Sequence, residues 1–298
     1  MERLEILKTY KIYIGGKFPR TESGRYYSPK NPKGELLGNI CLSSRKDVRN
    51  AVVAARKAYG DWSERADFNR SQILYRIAEM LEGRKAQFID ELIVQGVSQK
   101  AAKQEVELTI DRLVYYAGWC DKYKQIQSSV NPVSSSHFNF SVQEPTGIVG
   151  IIADANSSLI GLVSSIAPVI AGGNTCVVLA SEKLPLCAIT FAEVINSSDV
   201  PGGVVNILTG KRTELISPLT THMDVNAIFY SGKETEIIKE LEESGALNLK
   251  RIHSYDEDWN KESSQNLYFI TDFQELKTTW HPIERMLGEQ ARVTDEVN

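Results

Sequence analysis

The chain predicts a doubly wound α/β fold on a parallel sheet, with a small β element beside it. Residues 144–182, EPTGIVGIIADANSSLIGLVSSIAPVIAGGNTCVVLASE, read as strand, helix and strand. Gly147–Ile152 is a short apolar run between Pro145 and Asp154, and Cys176–Leu179 is a second, entered through the turn Gly172-Gly173-Asn174-Thr175. Leu159–Ala171 between them is long enough for the crossover helix of a parallel pair. Beyond Glu182 the same alternation of helical stretch and apolar run continues, as a doubly wound sheet requires.

Taken in order, Tyr10–Phe18 alternates around Gly15-Gly16 and suits a small hairpin. Asn31-Pro32-Lys33-Gly34 is a turn between two extended pieces. Ser44 is placed to cap a first long helix, with Asp47 in its first turn and Val48, Ala51, Val52, Ala55 and Tyr59 at helical spacing. Phe68–Glu82, Gln87–Gln95 and Ala102–Tyr123 give three further helical stretches. The polar passage Gln125–Ser136, with Pro132, reads as a linker. His137–Gln143 then alternates, with Phe138, Phe140 and Val142 on one side and Asn139 and Ser141 on the other. Such a ribbon is marginal in water unless it is covered. After Glu182 come helix Leu184–Ser197, strand Val204–Leu208, helix Arg212–Thr221, strand Ala227–Tyr230, helix Glu234–Ser244 and strand Leu249–Ser254. The expected division is a main domain of residues 1–124 and 144–256, a β element of 125–143 and 266–282, and a tail of 283–298.

Composition narrows the function. The balance of 34 basic and 38 acidic side chains gives a net charge of −4 without a basic block, which argues against nucleic acid as a partner. Cys41, Cys120, Cys176 and Cys187 have no paired spacing and read as reduced core residues, so a cytoplasmic location is the expectation. The N-terminal residues MERLEILKTYK lack the apolar run of a signal peptide. Residues 155–181 carry no charge and are long enough for a membrane span, yet Ser157-Ser158, Ser164-Ser165, Pro168 and Gly172-Gly173 interrupt them. A buried helix on a buried parallel strand is the better reading. His137, His222, His253 and His281 are too dispersed for a metal signature, and no metal is expected.

A resemblance rests on residues spread along the chain. Asn31-Pro32, Asp47-Val48, Ala54-Ala55-Arg56, Trp62, Arg70 and the run from Leu74 to Glu82 come first. Glu144-Pro145, Gly147, Gly150, Asn156, Gly173-Asn174-Thr175, Glu182, Pro185-Leu186, Pro201–Ile207 and His222-Met223-Asp224 follow. In order and spacing they resemble the Rossmann-like cofactor domain of the aldehyde dehydrogenases. The resemblance implies that the N-terminal helices cover one face of the sheet and that the ribbon at His137–Gln143 belongs to a subunit-contact element.

It also implies where chemistry should lie. Asn156 falls where the family keeps an oxyanion-stabilising Asn, as a relic without its usual flank. Glu182 matches the ribose-binding Glu, but Leu179 stands where the partnering Lys is expected and cannot donate a hydrogen bond. Gly232 and Lys233 occupy the turn whose helix receives the pyrophosphate, while Glu234 beside them would repel it. Tyr255 stands at the position of the general base, or Asp256 with a one-residue slip, without the surrounding glycines in either case, and none of the cysteines lies in the Gly-Gln-x-Cys setting of the nucleophile. Only the polar passage Asp256–Gln265 separates the last sheet strand from Leu267–Ile270, where the family inserts its catalytic domain. Leu276–Pro282 then looks like the strand that closes the family's C-terminus against a neighbour. The pattern is similar to the truncated C-terminal half of two-part aldehyde dehydrogenases. It implies a non-catalytic subunit acting in assembly with itself or with a full-length homologue, without a cofactor. The alternatives are an NAD(P)-dependent aldehyde oxidoreductase and a nucleotide-binding sensor without turnover.

Overall fold

A computed structural model describes residues 7–283 of the chain. Residues 1–6 of the N-terminal stretch and residues 284–298 of the expected tail lie outside the described residues. Strands β1 (Thr9–Tyr10), β2 (Tyr26–Tyr27) and β3 (Asn39–Cys41) open the chain and form a small sheet in the order β1-β3-β2. Helices α1 (Arg45–Ser63), α2 (Asp67–Gly83), α3 (Lys85–Val94), α4 (Gln99–Trp119) and α5 (Tyr123–Gln127) follow. Next come β4 (Ser129–Asn131), β5 (His137–Pro145), β6 (Ile148–Ile152), α6 (Ile160–Ala171), β7 (Thr175–Leu179), α7 (Leu186–Asn196) and β8 (Val205–Leu208). The order continues with α8 (Arg212–Thr220), β9 (Ala227–Ser231), α9 (Thr235–Ala246), β10 (Arg251–Tyr255), α10 (Tyr268–Thr271) and β11 (Gln274–Pro282).

The central sheet is parallel throughout and runs β10-β9-β6-β7-β8. Its order reverses direction between β6 and β9, the point at which open α/β sheets form a crevice. Both faces are covered, and this is why β6, β7, β8 and β9 are apolar without alternation. One face packs α1, α8 and α9 through Val48, Val52, Leu215, Leu219 and Leu241 against Ile152, Val177 and Leu179. The other packs α6 and α7, with α2, α3 and α4 in the same apolar core. The expectation that the N-terminal helices share one face is therefore corrected. The small residues Ala51 and Ala55 seat α1 on the opposite face, while the Leu74–Ile77–Leu81 stripe of α2 joins α6.

Helix α6 is buried along its whole length, so its missing charges reflect burial inside protein. Among the described residues no helix is long and apolar enough to cross a membrane. A helix with both ends buried must find partners for its terminal backbone groups. Glu105 of α4 accepts the N–H groups of Leu159 (3.3 Å) and Ile160 (3.1 Å). At the other end Trp62 Nε1 donates to the Ile170 carbonyl (3.1 Å), Arg70 Nε to Ala171 (3.3 Å) and Gln274 Nε2 to Gly172 (3.0 Å). The positions of Trp62 and Arg70 in the sequence pattern are explained by this capping.

Local chemistry sets the smaller elements. Asp47 accepts from both the backbone N–H and the hydroxyl of Ser44 (2.8 Å each), fixing the start of α1. Ile14 and Lys17 exchange two backbone bonds of 3.0 Å across Gly15 and Gly16, whose φ values of 60° and 77° suit a two-residue hairpin turn. The linker expected at Gln125–Ser136 instead contains the end of α5 and strand β4. Asn131 secures that strand by donating its amide to Asn139 Oδ1 (2.6 Å) and Ser141 Oγ (2.9 Å).

The second sheet, β11-β5-β4, is antiparallel, and β11 pairs with β5 from Gln274–Pro145 to Pro282–His137. Leu267–Ile270 does not belong to it, contrary to the expected β element of 266–282. That segment forms the turn of α10, which buries Phe269 and Ile270 against α6. The passage from β10 to β11 is bound into the fold at several points. Arg112 of α4, fully buried, donates to Ser164 Oγ (2.8 Å), to the carbonyls of Trp259 (3.3 Å) and Lys261 (3.0 Å), and to that of Ser264. Asn174 accepts from Gly147 N–H and donates to the Phe273 carbonyl, both at 2.9 Å. Trp259, Phe269 and Phe273 gather around Phe229 of β9.

Candidate functional site

The carboxyl ends of β6, β9 and β10 open onto a crevice of ≈ 250 Å³. Asp154 and Asn156 line it from the end of β6, Ser231 to Glu234 from the end of β9, and Tyr255 to Glu257 from β10. The structure thus brings Asn156, Gly232 and Lys233 together. Glu182 stands apart from that lining and accepts the Arg212 N–H (3.2 Å) at the start of α8. Leu179 is turned into the core beneath α1 and α8, so the end of β7 offers no side-chain donor toward a ribose.

Asn156 is exposed at the mouth of the crevice, and its backbone N–H donates to Asp154 Oδ1 (2.8 Å). This is the local Asx geometry of a turn. Lys233 is exposed and extends to Asp256 Oδ2 (3.2 Å). Glu234 folds back over the turn: its Oε2 accepts the Tyr230 hydroxyl and the Lys233 N–H (3.1 Å). The hydrogen bond from Tyr230 is the main cause holding the Glu234 carboxyl below its ordinary range. Burial, reinforced by Glu234, raises the Tyr230 phenol.

Arg212 is the residue that sequence reasoning missed. Its guanidinium donates to the Ala153 carbonyl at the end of β6, and its buried Nε has no partner. Burial lowers its pKa against the pull of Tyr230, Glu234, Asp154 and Glu182. A lone Arg opening a helix carries no signal in the sequence that would have distinguished it.

The titratable groups at the mouth are paired within the crevice, Tyr230 with Glu234 and Lys233 with Asp256. Tyr255 donates its hydroxyl to Asp272 (2.7 Å), and burial followed by Asp272 raises its pKa. All four cysteines are buried. Burial pushes the Cys120 thiol up to about 12 and raises Cys176 and Cys187 as well, which removes thiolate character. Among the described residues no three His, Cys, Asp or Glu side chains gather as a metal site. Beside Tyr255, burial holds the His253 imidazole below 6.5 despite the attraction of Asp272. A folded-state pKa below the unfolded value contributes stability above 6.5 that is lost as pH falls through the lower folded value. An NMR titration of His253 should give a midpoint below 6.5, and a midpoint at or above that value would contradict the burial argument.

An open parallel sheet with helices on both faces and a crevice at its switch point defines the class of dinucleotide-binding scaffolds. The sequence profile of the aldehyde dehydrogenase family matches residues 19–254, and the chain belongs to that family. It is 34% identical over 249 residues to the putative aldehyde dehydrogenase DhaS of Bacillus subtilis (strain 168), covering 82% of this chain and 50% of that protein. It is also 34% identical over 262 residues to the cytosolic 10-formyltetrahydrofolate dehydrogenase of Mus musculus, covering 85% of this chain and 29% of that one. Among solved structures, the NAD+ complex of an aldehyde dehydrogenase from Bacillus cereus superposes with a TM-score of 0.79 at 26% identity, covering 83% of this chain and 50% of that one. HpcC from Thermus thermophilus gives a TM-score of 0.79 at 28% identity, with 83% and 48% covered. The chain spans half or less of the length of these relatives.

The fold is that of a cofactor domain, but the residues present do not fit a dinucleotide at two points. Leu179 offers no donor beside Glu182, and a carboxylate stands on the β9–α9 turn.

Proposed function

We propose that this chain is a non-catalytic member of the aldehyde dehydrogenase family whose work is assembly through the β4–β5–β11 sheet, with a second copy of itself as the partner. The observation that carries the reading is the outer edge of β11. Ile283 donates to the Ser136 carbonyl and the Phe273 carbonyl accepts from Thr146, so the odd-numbered backbone groups of β11 face β5. Those of Leu276, Thr278 and Trp280 therefore face outward. A second β11 laid antiparallel about Thr278 sets Leu276 against Trp280, Lys277 against Thr279 and Glu275 against His281. No like charges oppose one another, and the one apolar pair joins side chains that are 61% and 57% exposed. Charges that ordinarily guard an edge are engaged within the chain, Lys277 with Glu144 and Glu275 with Arg251. Val130 and Phe138 leave an exposed apolar strip on the neighbouring strands.

The passage from β10 to β11 supports the non-catalytic half of the reading. Residues 256–273 occupy the interval in which the resemblance places a catalytic domain, and Arg112 and Asn174 bind that passage to the main sheet. The competing reading, NAD(P)-dependent aldehyde oxidation, finds all four cysteines buried and Tyr255 bonded to Asp272 where the family's base is expected.

Light scattering after gel filtration tests the proposal, for the chain alone and mixed with a full-length homologue. The expected result is a dimer of the chain by itself. A monomer in both samples overturns assembly as the function, and a complex formed only with the homologue overturns self-pairing.

A further inference from the structure

We infer that the Glu234 carboxylate occupies the seat at the β9–α9 turn in which a phosphate would be held, so that the chain's own anion closes the crevice to dinucleotides. The first turn of a helix favours negative charge through its unpaired N–H groups. Here the turn just ahead of the helix carries its own negative charge, an oxygen that takes the N–H of Lys233, one residue before the Glu234 N-cap, and the Tyr230 hydroxyl together, while the Glu234 side chain bonds none of the helix's first-turn N–H groups.

The closure is tight. A β-carbon on Gly232 would lie 2.6 Å from Glu234 Oε2 and 2.6 Å from both Cζ and the hydroxyl oxygen of Tyr230. The Tyr230–Glu234 clasp thus lies directly over Gly232, and a phosphate oxygen enters there only by displacing those two side-chain ends. A separate observation marks the place as an anion seat. Ser231, only 4% exposed, lines the crevice with a buried hydroxyl that has no partner. A buried hydroxyl without a partner costs free energy unless something engages it. The surrounding charge opposes a second anion: Asp154, Asp256 and Glu257 share the lining with Glu234, and Lys233 is drawn to Asp256.

The test is calorimetric titration of the full chain with inorganic pyrophosphate and, separately, with NAD+. The wild type is expected to give no saturable heat at millimolar ligand. Glu234→Ala frees the Lys233 N–H and the Tyr230 hydroxyl, and pyrophosphate affinity should rise at least tenfold. Glu234→Gln keeps the shape without the charge and should move in the same direction, which secures the reading if the alanine variant loses its fold by circular dichroism. Wild-type binding as tight as that of the variants overturns the inference, and so does a folded variant that gains nothing. Gel filtration of the same samples reports assembly independently, so failure here and failure of the assembly reading are separately visible.

Discussion

Replacing Arg112 by alanine is expected to lower the free energy of unfolding by about 3–5 kcal/mol, as removal of a buried charged hub commonly does. The guanidinium satisfies several carbonyls at once: Trp259, Lys261 and Ser264 all direct their oxygens at it, and Ser164 Oγ adds a fourth acceptor. Without it the Ser164, Trp259 and Ser264 acceptors are buried and lose this partner, and a cavity opens between α4 and the passage to β11. Arg112→Lys retains a charge but not the planar fork, and should recover part of the loss. Urea denaturation gives the magnitude. Trp259, buried beside Phe269, reports the site directly, and its fluorescence should shift to the red in the alanine variant before global unfolding. A loss below roughly 1 kcal/mol, the size of a surface effect, would show that the passage is not held by Arg112.

The second large effect concerns association. Thr278→Pro removes an outward N–H from the centre of the β11 edge while leaving the bonds to β5 in place, because proline is tolerated on the free side of an edge strand. If two β11 strands pair about Thr278, losing two central hydrogen bonds and admitting the proline ring should weaken the dimer about a hundredfold, on the order of 3 kcal/mol. Thr278→Val serves as the control, since it removes only the hydroxyl that meets Ser141 Oγ at 2.8 Å. Sedimentation equilibrium reads both variants. A Thr278→Pro chain that dimerises as tightly as the wild type would place the interface elsewhere.

Much of the architecture was legible because its causes are local. The apolar runs that became β6, β7, β8 and β9 are bounded by turn residues, and the helix stripes have a clear period. Periodicity says that a helix has an apolar side but not which layer that side meets, and so the division of α1 from α2, α3 and α4 across the sheet was not legible. Strand β4 was invisible for a related reason: three residues of a polar passage become a strand only because Asn131 finds Asn139 and Ser141 across the ribbon. Leu267–Ile270 misled in the opposite direction, since a short apolar run does not distinguish a strand from a buried helical turn.

At the candidate site single residues were legible where their partners were not. Leu179 could be read as a lost donor without any coordinates, and the structure adds that its side chain is spent on the core. Glu234 was legible as a charge hostile to phosphate. Its bond to Tyr230 was not, because that contact depends on how the turn after β9 folds back on itself. The position of Arg212 was equally hidden, since its carbonyl partner, Ala153, lies just past a strand far earlier in the chain.

The capping of α6 has a consequence for the order in which the molecule is made. Gln274, one of the side chains that complete the carbonyl end of this buried helix, is encoded about a hundred residues after it, and Phe269 and Ile270 of α10 pack on the same helix. A nascent chain that has emerged only as far as β10 therefore presents a charge-free apolar helix with part of its cover still inside the ribosome. Synthesis must pass Gln274 before that surface can be closed.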